Sequence, residues 1–241
     1  MDKQKQLYIK EAFQKIETDL TDNQLWQFER YYELLIQKNE VMNLTAITEF
    51  HDVVQKHFVD SLMIQKLYTP KGEEYWLDLG TGAGFPGIPL KIVYPNLKIL
   101  LLDSLNKRVK FLQEVIEELG LSGITAVHGR AEELARKEEY REQFDCCVSR
   151  AVANLAVLSE YCLPFVRVQG CFIPYKSEKI QEEVKGAEKA IHILGGRIER
   201  QEEFLLPDSD IYRCLLLIKK EKNSPKKYPR KAGTPSKEPI R

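Results

Sequence analysis

Between Tyr75 and Gly87 the chain reads Y-W-L-D-L-G-T-G-A-G-F-P-G, an apolar run, an acid, and then Gly80, Gly82, Gly84 and Gly87 within eight residues. Glycine suits positions where the backbone takes φ > 0, or where a ligand must come close to the main chain. A helix opening beyond such a turn offers unpaired N–H groups and a partial positive charge. The order apolar run, turn, helix start is the one in which parallel α/β sheets hold adenosine-bearing ligands.

Two ligand classes fit this turn. Gly82-Ala83-Gly84-Phe85-Pro86-Gly87 satisfies G-x-G-x-x-G, and Asp103 lies 16 residues further on, near the spacing of a ribose-binding acid in a dinucleotide fold. Asp78 ahead of the glycines, in D-x-G-x-G-x-G, instead fits the class I methyltransferases, which bind S-adenosylmethionine (SAM). Asp103 ends the second apolar run, where it can accept from both ribose hydroxyls. A helix-capping role is the other reading, although Ser104 or Asn106 could cap in its place. Ala131 and Glu132 follow the third run, where the backbone can meet an adenine edge; an acid favoured by the dipole of a helix start is the rival reading for Glu132. Arg150 follows the fourth run and could pair with a carboxylate or phosphate, or lie on the surface.

The acceptor is constrained by what is missing. No D/N-P-P-Y run follows the fourth apolar stretch, where the chain has Val148-Ser149-Arg150-Ala151, and no Pro-Cys nucleophile is present. Such a chain is compatible with guanine N7, an acceptor with a lone pair and no proton to remove, so that alignment is the main requirement. Five cysteines with no C-x-x-C pair give no metal site and read as buried small hydrophobes.

The elements that must position these residues follow from periodicity. Residues 1–70 read as a helical region, with a capping box at Thr21–Gln24, a regular pattern ending near 37–39 and Thr48 as a further cap. Pro70-Lys71-Gly72 marks a boundary. Residues 71–221 alternate short apolar runs with helical stretches, which predicts a parallel sheet with right-handed crossovers. The runs at 197–206 and 211–220 have no helix between them and predict an antiparallel hairpin at one edge. The expected fold is therefore α/β, a Rossmann-like class I SAM-dependent methyltransferase sheet with a small helical N-terminal region. A dinucleotide fold would continue with parallel strands, so the hairpin favours SAM over NAD(P).

Formal net charge is zero over 241 residues, but residues 219–241 hold nine Lys/Arg against two Glu. This asymmetry points to a polyanionic partner. On composition alone, residues 222–241, rich in Pro, Lys and Arg, read as a disordered tail. The chain has no signal-peptide pattern and no apolar run near 20 residues. It reads as a cytoplasmic, reduced protein with no membrane association, and a monomer is expected.

Several motifs together resemble the glucose-inhibited division protein B family, the bacterial guanine-N7 methyltransferases of small-subunit ribosomal RNA. They are L-D-L-G-T-G-A-G-F-P-G-I-P-L, N-L-T at 43–45, H-F-V-D-S-L at 57–62, L-D-S-L-N-K-R at 102–108, G-R-A-E at 129–132, S-R-A-V-A at 149–153 and the Y-P-R-K-A-G-T-P-x-K-x-P tail. The resemblance covers nearly the whole chain. It implies SAM binding by Gly80, Phe85, Ala131, Glu132 and Arg150, beside the Asp78, Gly82 and Asp103 read from the pattern. It implies a guanine of the 530 loop of 16S rRNA, guanine 527 in the usual rRNA numbering, as the acceptor. It makes Asn43, Thr45 and His57 candidates for the acceptor-pocket rim. It also turns the tail (Lys226, Lys227, Tyr228, Arg230, Lys231) and Lys176 into expected RNA contacts, with Tyr228 able to stack on a base. An NAD(P)-dependent dehydrogenase and a non-catalytic rRNA-binding or assembly module are the competing functions.

Overall fold

The computed structural model describes residues 2–177 and 180–240. The chain opens with α1 (Lys3–Gln14) and α2 (Asp22–Met42). The Asp2 carboxylate caps α1, and the Thr21–Gln24 capping box forms at the start of α2. α2 runs past the expected stop at 37–39 and ends at Asn43, whose φ of 50° is the left-handed conformation that asparagine tolerates. A further helical segment comprises α3 (Phe50–Val53), a π-helical turn (Val54–Val59), α4 (Asp60–Leu62) and a 3-10 turn (Met63–Lys66). Glu49, not Thr48, occupies its N-cap, and no side chain caps it.

The alternating region forms β1 (Tyr75–Leu79), α5 (Gly87–Val93), β2 (Lys98–Asp103), α6 (Asn106–Glu118), β3 (Ile124–His128), α7 (Ala131–Leu134), β4 (Phe144–Arg150), α8 (Leu155–Cys162) and β5 (Val166–Lys176). It closes with α9 (Ile180–Ile193), β6 (Gly196–Leu205) and β7 (Tyr212–Lys220), and α10 (Thr234–Lys237) lies in the tail. The helical pattern of residues 179–194 puts the start of α9 at Lys179, which falls outside the described residues. The seven strands are ordered β3-β2-β1-β4-β5-β7-β6. β1 to β5 pair in parallel, and β7 runs antiparallel to both β5 and β6. The order reverses between β1 and β4, which places a crevice at their carboxyl ends.

Successive residues of each strand face opposite sides. On one side Trp76, Leu101, Val148 and Ile173 share an apolar cluster with Phe13, Phe28, Tyr31 and Phe58 of the N-terminal helices. Those helices thus use the sheet as the other half of their core. On the opposite side Leu77, Leu102, Phe144 and Phe172 pack with Leu158 of α8 and Ile191 of α9. The five cysteines are free and buried, and burial pushes the Cys146 and Cys147 thiols well up.

The tail corrects the expectation from composition. Ser224, Tyr228, Pro229, Pro235 and Ile240 are buried, and Tyr228 and Ile240 join the second cluster. Its order comes from partners far away in sequence: Arg141 donates to the carbonyls of Ser224 and Tyr228, and Arg136 donates to that of Pro229. Among the described residues no helix is long and apolar enough to cross a membrane, and no His/Cys/Asp/Glu group is arranged to hold a metal.

Candidate active site

The glycine turn leaves β1 at the crevice, and Arg150 leaves β4 beside it. Gly82 has φ 63°, and a Cβ there would meet nothing within 4 Å, so its open side faces space that a ligand can use. At Gly87 a Cβ would collide with Leu101 and Asp78, so this glycine serves packing. The turn is anchored from α2, where the buried Tyr31 hydroxyl donates to the Ala83 carbonyl at 2.5 Å.

Asp78 is wholly buried. Its Oδ2 accepts from Thr81 Oγ1 at 2.6 Å and from the Gly87 N–H at 2.8 Å. Its Oδ1 is the one buried side-chain polar atom among the described residues that has no hydrogen-bond partner. Burial raises the Asp78 pKa to about 6, against the opposing pull of those two donors and Arg150. An orphaned carboxylate oxygen fits a ligand that carries a cationic donor, and the α-ammonium group of SAM is one. Asp103, also buried, accepts from the Gly82 N–H at 3.0 Å and the Leu105 N–H at 2.9 Å, with Arg108 Nη1 at 3.4 Å. One oxygen thus turns to the residue just ahead of α6 and the other to the glycine turn; α6 itself has Leu105 at its N-cap and no side-chain cap, so Asp103 does not cap it, and neither do Ser104 or Asn106.

Two clefts open on this edge of the sheet. A smaller one, about 170 Å³, is lined by Leu79, Gly80, Leu102, Ser104, Gly129, Arg130, Ala131, Glu132, Val152 and Tyr161. It brings Gly80, Ala131 and Glu132 together at the carboxyl ends of β1, β2 and β3. Its position, at the carboxyl ends of parallel strands, is the one in which α/β sheets hold adenosine-bearing ligands. Glu132 is buried and its Oε1 accepts from the Gly233 N–H at 3.0 Å, so a tail residue rather than solvent engages it.

The second cleft, about 370 Å³, includes Lys56, His57, Asp60, Arg150, Tyr175, Lys176 and Arg213. Arg150 lies here, apart from the smaller cleft. Asp60 Oδ2 accepts from Arg150 Nη1 at 2.9 Å, and its Oδ1 accepts from Arg213 Nε at 3.0 Å. A buried carboxylate thus holds two guanidinium groups in fixed directions. Buried Phe85 backs two of these residues: the His57 ring stacks on it with centroids 4.4 Å apart, and Arg150 sits 5.2 Å from its centroid. Burial and then Arg150 lower the His57 pKa to about 3. The imidazole is neutral, with Arg150 Nη2 donating to Nδ1 at 3.3 Å and the Nε2 proton directed to Thr45 Oγ1 at 2.9 Å. This tautomer is assigned from the network. Lys176 is tied to Glu183 at 2.5 Å and to the Ala153 carbonyl at 2.8 Å.

Of the rim candidates, Thr45 and His57 meet, while Asn43 is the exposed left-handed cap of α2. Of the tail candidates, Lys226, Lys227 and Lys231 are exposed. Tyr228 and Arg230 need correction as free RNA contacts: the Tyr228 ring is buried, and Arg230 grips the buried Glu160 carboxylate through Nε at 2.9 Å and Nη2 at 2.6 Å. Asp60, Arg213 and Tyr161 were missed in the sequence. Asp60 lies inside the H-F-V-D-S-L motif, and Arg213 is a cation directly ahead of the apolar run Cys214–Ile218; both were available signals.

Comparison with known proteins bears on the family and the fold. The family model for rRNA small subunit methyltransferase G (GidB) matches residues 24–211. A ribosomal RNA small subunit methyltransferase G from Lachnoclostridium phytofermentans is 59% identical over 222 residues, 92% of each chain. Another from Alkaliphilus metalliredigens is 54% identical over 236 residues, 98% of each chain. Among solved structures, a SAM-dependent methyltransferase from Aquifex aeolicus superimposes with TM-score 0.52 at 17% identity, covering 69% of this chain and 92% of that one. A putative methyltransferase from Bacillus halodurans gives TM-score 0.52 at 15% identity, covering 68% of this chain and 99% of that one. The fold is that of class I methyltransferases, and the chain belongs to the rRNA small subunit methyltransferase G family.

Proposed function

We propose that this protein transfers the methyl group of SAM to N7 of a guanine in small-subunit rRNA, within the 530 loop. The observation that carries the acceptor class is the chemistry of the larger cleft. Among its described lining residues, both carboxylates are paired, Asp60 with two arginines and Glu183 with Lys176. His57, with a pKa of about 3, is a poor proton acceptor near neutrality. A cleft without a free general base suits an acceptor atom that carries a lone pair and no proton, as guanine N7 does.

When bound, SAM supplies an electrophilic methyl on a sulfonium. The N7 lone pair forms the new N–C bond as the C–S bond breaks, giving S-adenosylhomocysteine and a 7-methylguanosine cation. Positive charge moves from sulfur to the purine, so alignment is the main demand on the protein. The smaller cleft, with Gly80, Ala131 and Glu132, and the acids Asp78 and Asp103 would hold the cofactor. The Phe85–His57 stack and the Asp60-fixed arginines would orient the base and its phosphates. Lys56, Arg150, Lys176 and Arg213 make this cleft a cationic place for a polyanion.

The test is methyl transfer from labelled SAM to small ribosomal subunits, and to their naked RNA, from cells lacking this enzyme. Label is expected in the small-subunit RNA and not in large-subunit RNA. A protein that binds this RNA tightly yet never labels it would instead be a non-catalytic assembly module.

A further inference from the structure

The docked tail reaches the wall of the smaller cleft at two points. Gly233, at φ 83°, directs its N–H to Glu132 Oε1 at 3.0 Å. Ser236 Oγ lies 2.8 Å from the Tyr161 hydroxyl. Glu132 and Tyr161 both line that cleft, while Gly233 and Ser236 stand behind them. The segment is fastened between these points and the body of the protein by Arg230. Its backbone N–H and Nε reach Glu160 Oε1 at 2.7 and 2.9 Å, and its Nη2 reaches Oε2 at 2.6 Å. The Glu160 side chain is 1% exposed, so its charge has Arg230 as compensation and no access to water. Arg136 adds a hydrogen bond to the Pro229 carbonyl at 2.6 Å, from just beyond α7.

We propose that residues 228–237 form a strap that positions the outer wall of the cofactor cleft, with Arg230–Glu160 as its pin, so that the tail sets affinity for SAM. This rests on the reading of the smaller cleft as the adenosyl site. The physical basis is that α7 is one turn long and cannot fix its own side chains. Glu132, near its start, is held by a backbone donor from 101 residues away. Tyr161 likewise has its hydroxyl fixed from the tail. A wall already set in place need not be ordered when the cofactor binds, which lowers the cost of binding. The basic composition of the tail had pointed to RNA. The structure instead spends Arg230 on an internal carboxylate and leaves Lys226, Lys227 and Lys231 exposed.

Arg230, Gly233 and Ser236 are therefore positioning residues, acting through Glu132 and Tyr161. The experiment compares full-length wild type with Arg230→Ala, Arg230→Lys, Ser236→Ala and Gly82→Ala. SAM and S-adenosylhomocysteine binding is measured by calorimetry, and kcat and the KM for small-subunit RNA are measured at saturating SAM. Arg230→Ala is expected to raise the Kd for SAM on the order of tenfold, and Ser236→Ala about threefold. Arg230→Lys should recover part of the loss, because it keeps the charge but not the fork. The RNA KM and kcat at saturating SAM should stay near wild type.

A raised RNA KM with unchanged SAM Kd would make the tail an RNA arm and overturn the strap. So would an unchanged Kd in Ser236→Ala together with a general loss of folding in Arg230→Ala, since that describes a purely structural tail. Gly82→Ala separates the two levels. If it abolishes SAM binding while both tail variants bind normally, the strap alone is wrong. If it binds SAM as wild type does, the glycine-turn site falls, and the strap with it.

Discussion

The two oxygens of Asp78 sit in different circumstances, and that difference has measurable consequences. Oδ2 is satisfied by Thr81 and Gly87, while Oδ1 has no partner, and burial lifts the pKa to about 6. A cationic donor is held only by the ionised form. Affinity for SAM is therefore expected to be constant above about pH 7 and to fall as pH drops through about 6, as calorimetry across pH 5–8 would register. Asp78→Asn should weaken SAM binding on the order of 10- to 100-fold and remove that pH dependence. His57 gives a stability prediction of definite sign. Its folded pKa of about 3 lies below the usual 6.5. The unfolded chain thus binds the extra proton first, and stability is fully present above pH 6.5 and lost as pH falls toward 3. His57→Phe keeps a ring against Phe85 and removes the titration. Thermal unfolding at pH 7 and pH 5 should show a smaller loss of Tm for this variant than for wild type; an equal loss would mean the imidazole is not held neutral.

At the scale of elements, the strand–turn–helix unit was plain in the sequence because its signals are local: an apolar run, glycines at fixed spacing and Asp103 at the end of the next run. The capping box of α2 was equally legible, since Thr21 and Gln24 satisfy each other. The π turn at Val54–Val59 was not legible, because its residues have no composition that separates π from α. It carries His57 to the Phe85 face, and Asp60 follows it, where the carboxylate meets arginines 90 and 153 residues away. Pairs of that kind leave no periodic trace in sequence. The contact between α2 and the glycine turn can be tested by Tyr31→Phe, which leaves the Ala83 carbonyl without its donor. A loss of about 1–2 kcal/mol in unfolding free energy is expected from denaturant titration. SAM affinity should weaken with it, because the turn then loses its hydrogen bond to α2 and keeps only ring packing on that side.

Over the whole molecule, neutral net charge conceals a division of labour. The N-terminal helices supply the Phe85-facing side, the sheet edge supplies the crevice, and the tail stands behind Glu132 and Tyr161 of the smaller cleft. Composition made the tail look disordered, and the resemblance made it look like an RNA arm, because neither reading could place Arg141, Glu160 and Glu132 beside it. The larger cleft was half legible: Arg150 at the end of β4 was visible, but its Arg213 and Asp60 partners come from opposite ends of the chain. RNA binding through this cationic face should weaken steeply with salt, and Lys56→Ala should lower the slope of log affinity against log salt by about one. An unchanged slope would place the RNA backbone elsewhere.

The methylated atom is identified by treating small-subunit RNA from cells lacking the enzyme with this protein and SAM, then cleaving the strand chemically at 7-methylguanosine. Cleavage at a single guanine of the 530 loop, dependent on both protein and SAM, is the predicted result. Methyl found on an exocyclic amine, on a ribose or at another guanine would overturn the proposed reaction.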